Sequence, residues 1–331
     1  MSKTLTPACL VTLTLIGCGP DYASVADGER RVVVDAGTSE FYDTGVNAAP
    51  TRDDEPNDDD PNAPHRDDER EPNTDERDPD RTEQPPANPA PENDCKGLED
   101  AIYVIDKETE SIHYYDTREA VFQHVGDLDC GQFAGRPASM SIARDGFAYV
   151  RYYDDTLYSV NLETMECEET DYESDFGHFG MGFATTSANG WQDELFVANR
   201  SQLARLNVAN WTMENVGRLP SQSELTGNRL GQLWAILPLE TPARVVELNK
   251  ANARIERSIN LERFPNPYTI DTFAFANWGG DFFIFVRQNG MGESTKVLRV
   301  SGRDGSMQVE AEDTDMNIVG AGVSTCATAA R

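Results

Sequence analysis

Residues 137–167 carry the unit that decides the fold. They read Pro137-Ala-Ser-Met-Ser-Ile-Ala143, then the turn Asp145-Gly146, then Phe147-Ala-Tyr-Val-Arg-Tyr152. A second turn, Asp154-Asp155, leads into Thr156-Leu-Tyr-Ser-Val160, and Asn161 leads on to Cys167. Short runs of apolar, β-branched and aromatic residues between turn formers read as strands. The junction at its end recurs: an apolar residue, then Asp, Asn or Ser, then an apolar residue six positions later. It stands at Tyr115-Asp116…Phe122, Val160-Asn161…Cys167, Leu206-Asn207…Met213, Leu248-Asn249…Ile255 and Val300-Ser301…Met307, with a period of 42 to 52 residues. Asp, Asn and Ser suit a turn because their side chains hydrogen-bond the backbone just ahead.

Working outward, each junction is preceded by two more strands. Those equivalent to Gly146–Tyr152 are Ala101–Ile105, Glu194–Ala198, Gln232–Leu237 and Asp281–Val286. Earlier still lie inner-strand candidates at Ala138–Ala143, Gly180–Thr185, Glu224–Asn228 and Thr272–Ala276. Turns at Asp145-Gly146, Asn189-Gly190, Gly231 and Gly279-Gly280 follow them. Four short strands per repeat describe a propeller blade. The first repeat lacks an inner strand, and Ile318–Val323 near the other end supplies one. The expectation is an all-β chain folded as a single β-propeller of five four-stranded blades, the C-terminal strand closing blade one. Strand lengths alone also allow a β-sandwich.

Cysteines support the closure. With Cys9 and Cys18 set aside as N-terminal, Cys95, Cys130, Cys167 and Cys326 remain. An even set in an exported chain reads as disulfides, with three possible connectivities. Cys326 ends the inner strand of blade one and Cys95 precedes its second strand, so these two are expected to pair. Elimination leaves Cys130 with Cys167, whose strand ends lie nominally at opposite rims.

The rest of the chain divides by composition. Acidic residues outnumber basic ones 58 to 28, and the net charge of −30 argues against a nucleic-acid surface. Residues 95–331 hold all four Trp and can bury a single core; residues 51–94 hold no Ile, Leu, Val, Met, Phe, Trp or Tyr. That acidic, Pro-rich stretch cannot offset its chain entropy by burial, so 18–94 is expected to be a disordered tether, spanning roughly 50 Å or more. Asp58-Asp59-Asp60 lacks the glycine and spacing of a calcium loop and reads as solvated spacer.

Met1-Ser2-Lys3 and the apolar stretch 4–16 form a signal segment, too short to span a bilayer, that ends in Leu15-Ile16-Gly17-Cys18. The last four residues resemble the bacterial lipobox. That resemblance implies cleavage of 1–17 and acylation of Cys18. Gly19, where an inner-membrane retention signal often has Asp, points to the outer membrane of a Gram-negative cell. Residues 137–150 are similar to the strand, Asp-Gly turn, strand unit of NHL- and YncE-like β-propellers. The stretch 95–326 also resembles a group of uncharacterised bacterial propeller-like lipoproteins, through Phe179-Gly-Met-Gly-Phe183, Glu224-Leu-Thr-Gly227, Phe275-Ala-Asn-Trp-Gly-Gly-Asp-Phe282 and Val319-Gly-Ala-Gly-Val-Ser-Thr-Cys326. It implies a fold and no activity.

Chemistry-bearing motifs are sparse. His113, His124 and His178 belong to no HxH or HExxH pair, and no nucleophile elbow or phosphate loop is present. Lone histidines in a β domain read as structural, and Trp278 as core. Five polar residues fall where inner strands begin, at one mouth of the channel: Arg136, His178, Glu224, Asp271 and Asn317. They read either as a mixed-charge pocket or as ordinary loop groups. Two functions remain. One is a non-catalytic binding or scaffolding lipoprotein of the envelope, without cofactor, with a protein, peptide or glycan as partner. The other is a calcium-dependent hydrolase resembling the lactonase propellers, with Glu224, Asp271 and Asn317 as metal ring.

Overall fold

The structure, a computed structural model, describes residues 95–130, 135–290 and 293–329. The signal segment 1–17, Cys18 and the tether 18–94 lie outside the described residues. The described chain forms five four-stranded antiparallel sheets. Blade one contains β1 (Ile102–Asp106), β2 (Ser111–Asp116) and β3 (Val121–Asp127). Blade two runs through β4 (Pro137–Ile142), β5 (Phe147–Tyr152), β6 (Leu157–Asn161) and β7 (Cys167–Glu169). Blade three has β8 (Gly180–Thr185), β9 (Asp193–Ala198), β10 (Gln202–Asn207) and β11 (Thr212–Arg218). Blade four has β12 (Glu224–Gly227), β13 (Leu233–Leu237), β14 (Ala243–Leu248) and β15 (Ile255–Leu261). Blade five has β16 (Ile270–Trp278), β17 (Asp281–Gln288), β18 (Lys296–Val300) and β19 (Met307–Ala311). The last strand, β20 (Ile318–Gly322), joins blade one, pairing Tyr103 with Gly322 and Val104 with Ala321. The structure is thus a five-bladed propeller closed by its C-terminal strand.

The junction motif has a common geometry. Met165, Trp211 and Ala253 each adopt positive φ four residues after the Asn, as does Gly305 after Ser301 and Ala120 after Asp116. In blades two to five the N–H of that residue donates to the carbonyl of the Asn or Ser, at 2.7 to 2.9 Å. The Asn161, Asn207 and Asn249 side chains accept from backbone N–H groups two residues on at 2.9 Å, and so does Asp116 at 2.8 Å. The turn therefore works as an Asx turn closed by a left-handed residue.

Apolar residues alternate toward the two faces of each blade, and five cores form, one between each pair of neighbouring blades. Blade five meets blade one through Tyr115, Phe283 and Phe285, with ring centroids 6.0 and 6.2 Å apart. Blade four meets blade five through Trp234 and Phe282, 4.8 Å apart. The outer strands carry mixed polar and charged residues, which suits edges left open to water.

Around the axis the inner strands pack backbone against backbone. A Cβ on Gly182 of β8 would lie 2.8 Å from the carbonyl carbon of Leu225 in β12. On Gly320 of β20 it would lie 2.5 Å from the Met140 nitrogen in β4. Only glycine permits this approach.

Both disulfides are present. Cys95 is bonded to Cys326, across 231 residues of sequence, and Cys130 to Cys167. The second pair does not sit at opposite rims, because the blades twist. Gly126 of β3 lies against Met165 in the β6–β7 turn, where an added Cβ would be 2.5 Å from the Met165 Cγ. A bulge at Ile112/His113, between β2 and β3, accompanies that twist. Four residues on from Gly126, Cys130 reaches the start of β7, with Cα atoms 5.1 Å apart. Gly217 repeats the device against Asn252 and Ala253, which accounts for the matching Val-Gly-x-Leu sequences at 125–128 and 216–219.

We expect Gly182→Ala to lower stability by about 2 kcal/mol or more, as overpacking against immovable backbone does. Urea unfolding checks this; a loss below about 0.5 kcal/mol would mean that blades three and four can move apart at the axis.

Candidate functional site

The two ends of the channel differ. At the end where inner strands finish, residues 323–327 leave β20 and turn inward, with Ser324 and Thr325 fully buried. The Thr325 hydroxyl donates to Asp193 at 2.7 Å and accepts from the Arg144 guanidinium at 3.1 Å. Asp193 belongs to blade three, which is not a neighbour of blade one, so the segment crosses the axis. Cys326, immediately after, fixes it to Cys95. Trp278 also lies at this end, buried, its indole N–H donating to the Glu99 carbonyl at 3.2 Å.

The opposite mouth carries the five residues expected there, in three separate arrangements. Arg136 and Asn317 are joined through Glu108. Arg136 ion-pairs with one carboxylate oxygen, and the Asn317 amide donates to the other at 3.1 Å. Asn317 also accepts from the Thr272 hydroxyl at 3.1 Å. The Asn317 hydrogen bond, then that of Arg136, hold the Glu108 carboxyl below its ordinary range. Asp271 stands apart, ion-paired with Arg287 inside blade five.

Glu224 and His178 share the third arrangement, a cavity of about 160 Å³ with Arg151, Tyr153, Arg200 and Gln222 in its walls. Glu224 opens β12 in blade four, yet its Oε2 accepts from the Ser139 hydroxyl of blade two at 3.0 Å. This bond passes over the start of the inner strand of blade three, where the Glu224 carboxyl lies against Gly180. The Met181 backbone N–H also donates to the carboxyl. Glu224 is 7% exposed, and burial pushes its pKa up to about 8 despite Ser139, Met181 and Arg151 acting the other way. Arg151 is 1% exposed and ion-pairs with Asp155, while its Nε has no hydrogen-bond partner among the described residues. Its guanidinium lies 4.9 Å from the Phe179 ring centroid. His178 sits at the rim, 3.9 Å from the Asp155 carboxylate and 5.7 Å from the Tyr153 ring.

Sequence reading missed Arg151, Arg200 and Ser139. A signal for Arg151 existed: it is a charged side chain inside the otherwise apolar run 147–152. Nothing local marks Ser139, because its partner is 85 residues away.

The other chemical readings find bland settings. His113 bonds the buried Ser111 hydroxyl at 2.9 Å, itself 2.6 Å from that of Thr109; His124 bonds Asp127 at 2.8 Å. The oxygens of Glu224, Asp271 and Asn317 are each engaged with different partners. Among the described residues no three His, Cys, Asp or Glu side chains gather as a metal ion requires.

No family model matches the chain, and no curated protein is similar to it at a significant level. Among solved structures it is similar to a protein of unknown function from Bacteroides caccae, with a TM-score of 0.42 and 12% identity over 67% of this chain and 97% of that one. It is also similar to TolB from Acinetobacter baumannii, with a TM-score of 0.40 and 12% identity over 68% of this chain and 55% of that one. Likenesses this distant bear on no function, and the five-bladed ring rests on the strand pairing itself.

Glu224 also sets a pH test. Its folded pKa of about 8 lies above the ordinary 4.5, so its contribution is fully present below pH 4.5 and is lost as pH rises toward 8. Glu224→Gln holds no titrating proton there. Between pH 4.5 and 8.5 we expect its stability to improve relative to the parent by roughly 2–4 kcal/mol, read by urea unfolding at each pH. A constant difference would refute the shift.

Proposed function

We propose that this chain is a lipid-anchored extracytoplasmic propeller that binds or scaffolds a partner of the cell envelope without transforming it. The carrying observation is the asymmetry of the channel. One end is crossed by the buried residues 323–327, and the other holds a polar cavity framed by three blades. A charged cavity at one mouth suits recognition, and the five packed cores keep that mouth rigid. Two disulfides agree with an oxidising compartment. The lipobox-like Leu15-Ile16-Gly17-Cys18 supports attachment through Cys18, with the outer membrane as its site. The acidic stretch 51–94 would hold the propeller away from the lipid surface.

Metabolic labelling with an alkyne fatty acid, followed by cross-linking in intact cells, tests both halves. The parent should take up label and yield a discrete cross-linked envelope species; Cys18→Ala should lose both. Label on the Cys18→Ala chain would refute the anchor. Absence of any cross-linked species from a labelled parent would refute the scaffolding role.

A further inference from the structure

The cavity beside Glu224 has a charge balance that selects among ligands. Arg151 and Asp155 neutralise each other as an ion pair. Arg200, an exposed residue, lines the same cavity at its rim, and no carboxylate pairs with it among the described residues. Glu224 is buried, and burial outweighs the Ser139 and Met181 donors, so its neutral form is favoured near pH 7. One positive charge is left over. It lies in a domain where acidic side chains outnumber basic ones, 35 to 20 over residues 95–331. A singly charged acceptor balances it, whereas a dianion such as sulfate leaves a charge uncompensated.

The donors agree with that charge. A guanidinium presents its N–H groups as a fork that matches the two oxygens of a carboxylate. A neutral Glu224 has an O–H to give, and Gln222 and Tyr153 add donors at the wall. The volume of about 160 Å³ admits a carboxylate and a short carbon stem, and no large ligand.

We propose that the cavity framed by Arg151, His178, Arg200 and Glu224 binds the carboxylate of its ligand, with Arg200 as the principal charge partner. The inference rests on the binding role above and names the chemistry of that site. The carboxylate comes either from a small free acid or from the end of a peptide chain. Proton uptake accompanies binding where Glu224 is still ionised, near pH 8 and above. Arg151, His178 and Arg200 line the cavity with Glu224, Asp155 is the ion-pair partner of Arg151 and lies 3.9 Å from His178, and protonating Glu224 removes a negative charge from the cavity wall. Affinity should therefore rise as pH falls through about 8.

The test is calorimetric titration of the full chain in detergent with butyrate, butyramide and inorganic sulfate. Butyrate, a monoanion, should bind at pH 6.5, and the neutral amide and the sulfate dianion should not. Arg200→Ala should weaken butyrate about tenfold or more, as loss of a charged hydrogen bond does, with its unfolding curve unchanged. Parent affinity should fall between pH 6.5 and 9, while Glu224→Gln, which keeps a neutral donor, should be less dependent on pH. A hexapeptide acid and its C-terminal amide separate the sources. Preference for the peptide acid over butyrate assigns a chain end, and preference for butyrate a free acid. Binding of neither acid, equal binding of butyramide or sulfate, or an unaltered Arg200→Ala would overturn the proposal. If no acid binds while intact-cell cross-linking still captures a partner, the inference falls and the binding role stands.

Discussion

Everything in this propeller depends on how closely the inner strands approach at its axis. Gly180 and Gly182 in β8, Gly227 in β12, and Gly320 and Gly322 in β20 all sit where an added Cβ would lie less than 3 Å from a neighbouring blade. Backbone therefore meets backbone at the centre, and the larger side chains are displaced outward into five cores between the blades. The tight centre also explains the mouth. Side chains there can reach a blade that is not adjacent, as Ser139 and Glu224 do. A wider ring would separate them and leave the Glu224 carboxyl in water.

The architecture was legible because each repeat solves the same local problem. The Asp, Asn or Ser at the third turn, four residues before a left-handed residue, is a chemical requirement of the chain reversal, so it recurs in sequence. The closing strand was legible by subtraction, since one repeat lacked what residues 318–323 offered. The Cys130–Cys167 contact was harder to rationalise from sequence. Strand order gives the direction of each strand but not the twist, and the twist carries the end of β3 down to Met165.

The site was legible only in part. Glu224 and His178 could be placed because strand starts define the mouth. Arg151 and Arg200 could not, because their importance comes from what neighbouring blades bring toward them. Arg200 stands in the turn between β9 and β10, a place where a charged residue ordinarily means only solvent. Its role follows from Arg151 being already matched by Asp155. The expected mixed-charge ring likewise resolves into independent pairs, Asp271 with Arg287 and Arg136 with Glu108, that leave a single region open.

The closing strand also imposes an order on assembly. β1 finds its inner neighbour only when residues 318–322 arrive, more than two hundred positions later in the sequence. Until then the β1 side of blade one is an unpaired edge, and four complete blades wait beside it. Contacts that distant in sequence form slowly. During that interval the matching strand of a second molecule presents the same hydrogen-bonding groups as the chain's own. Crowding of unfinished molecules thus favours exchange of β20 between copies. The disulfide joining Cys95 to Cys326 makes whichever partner has been chosen difficult to release.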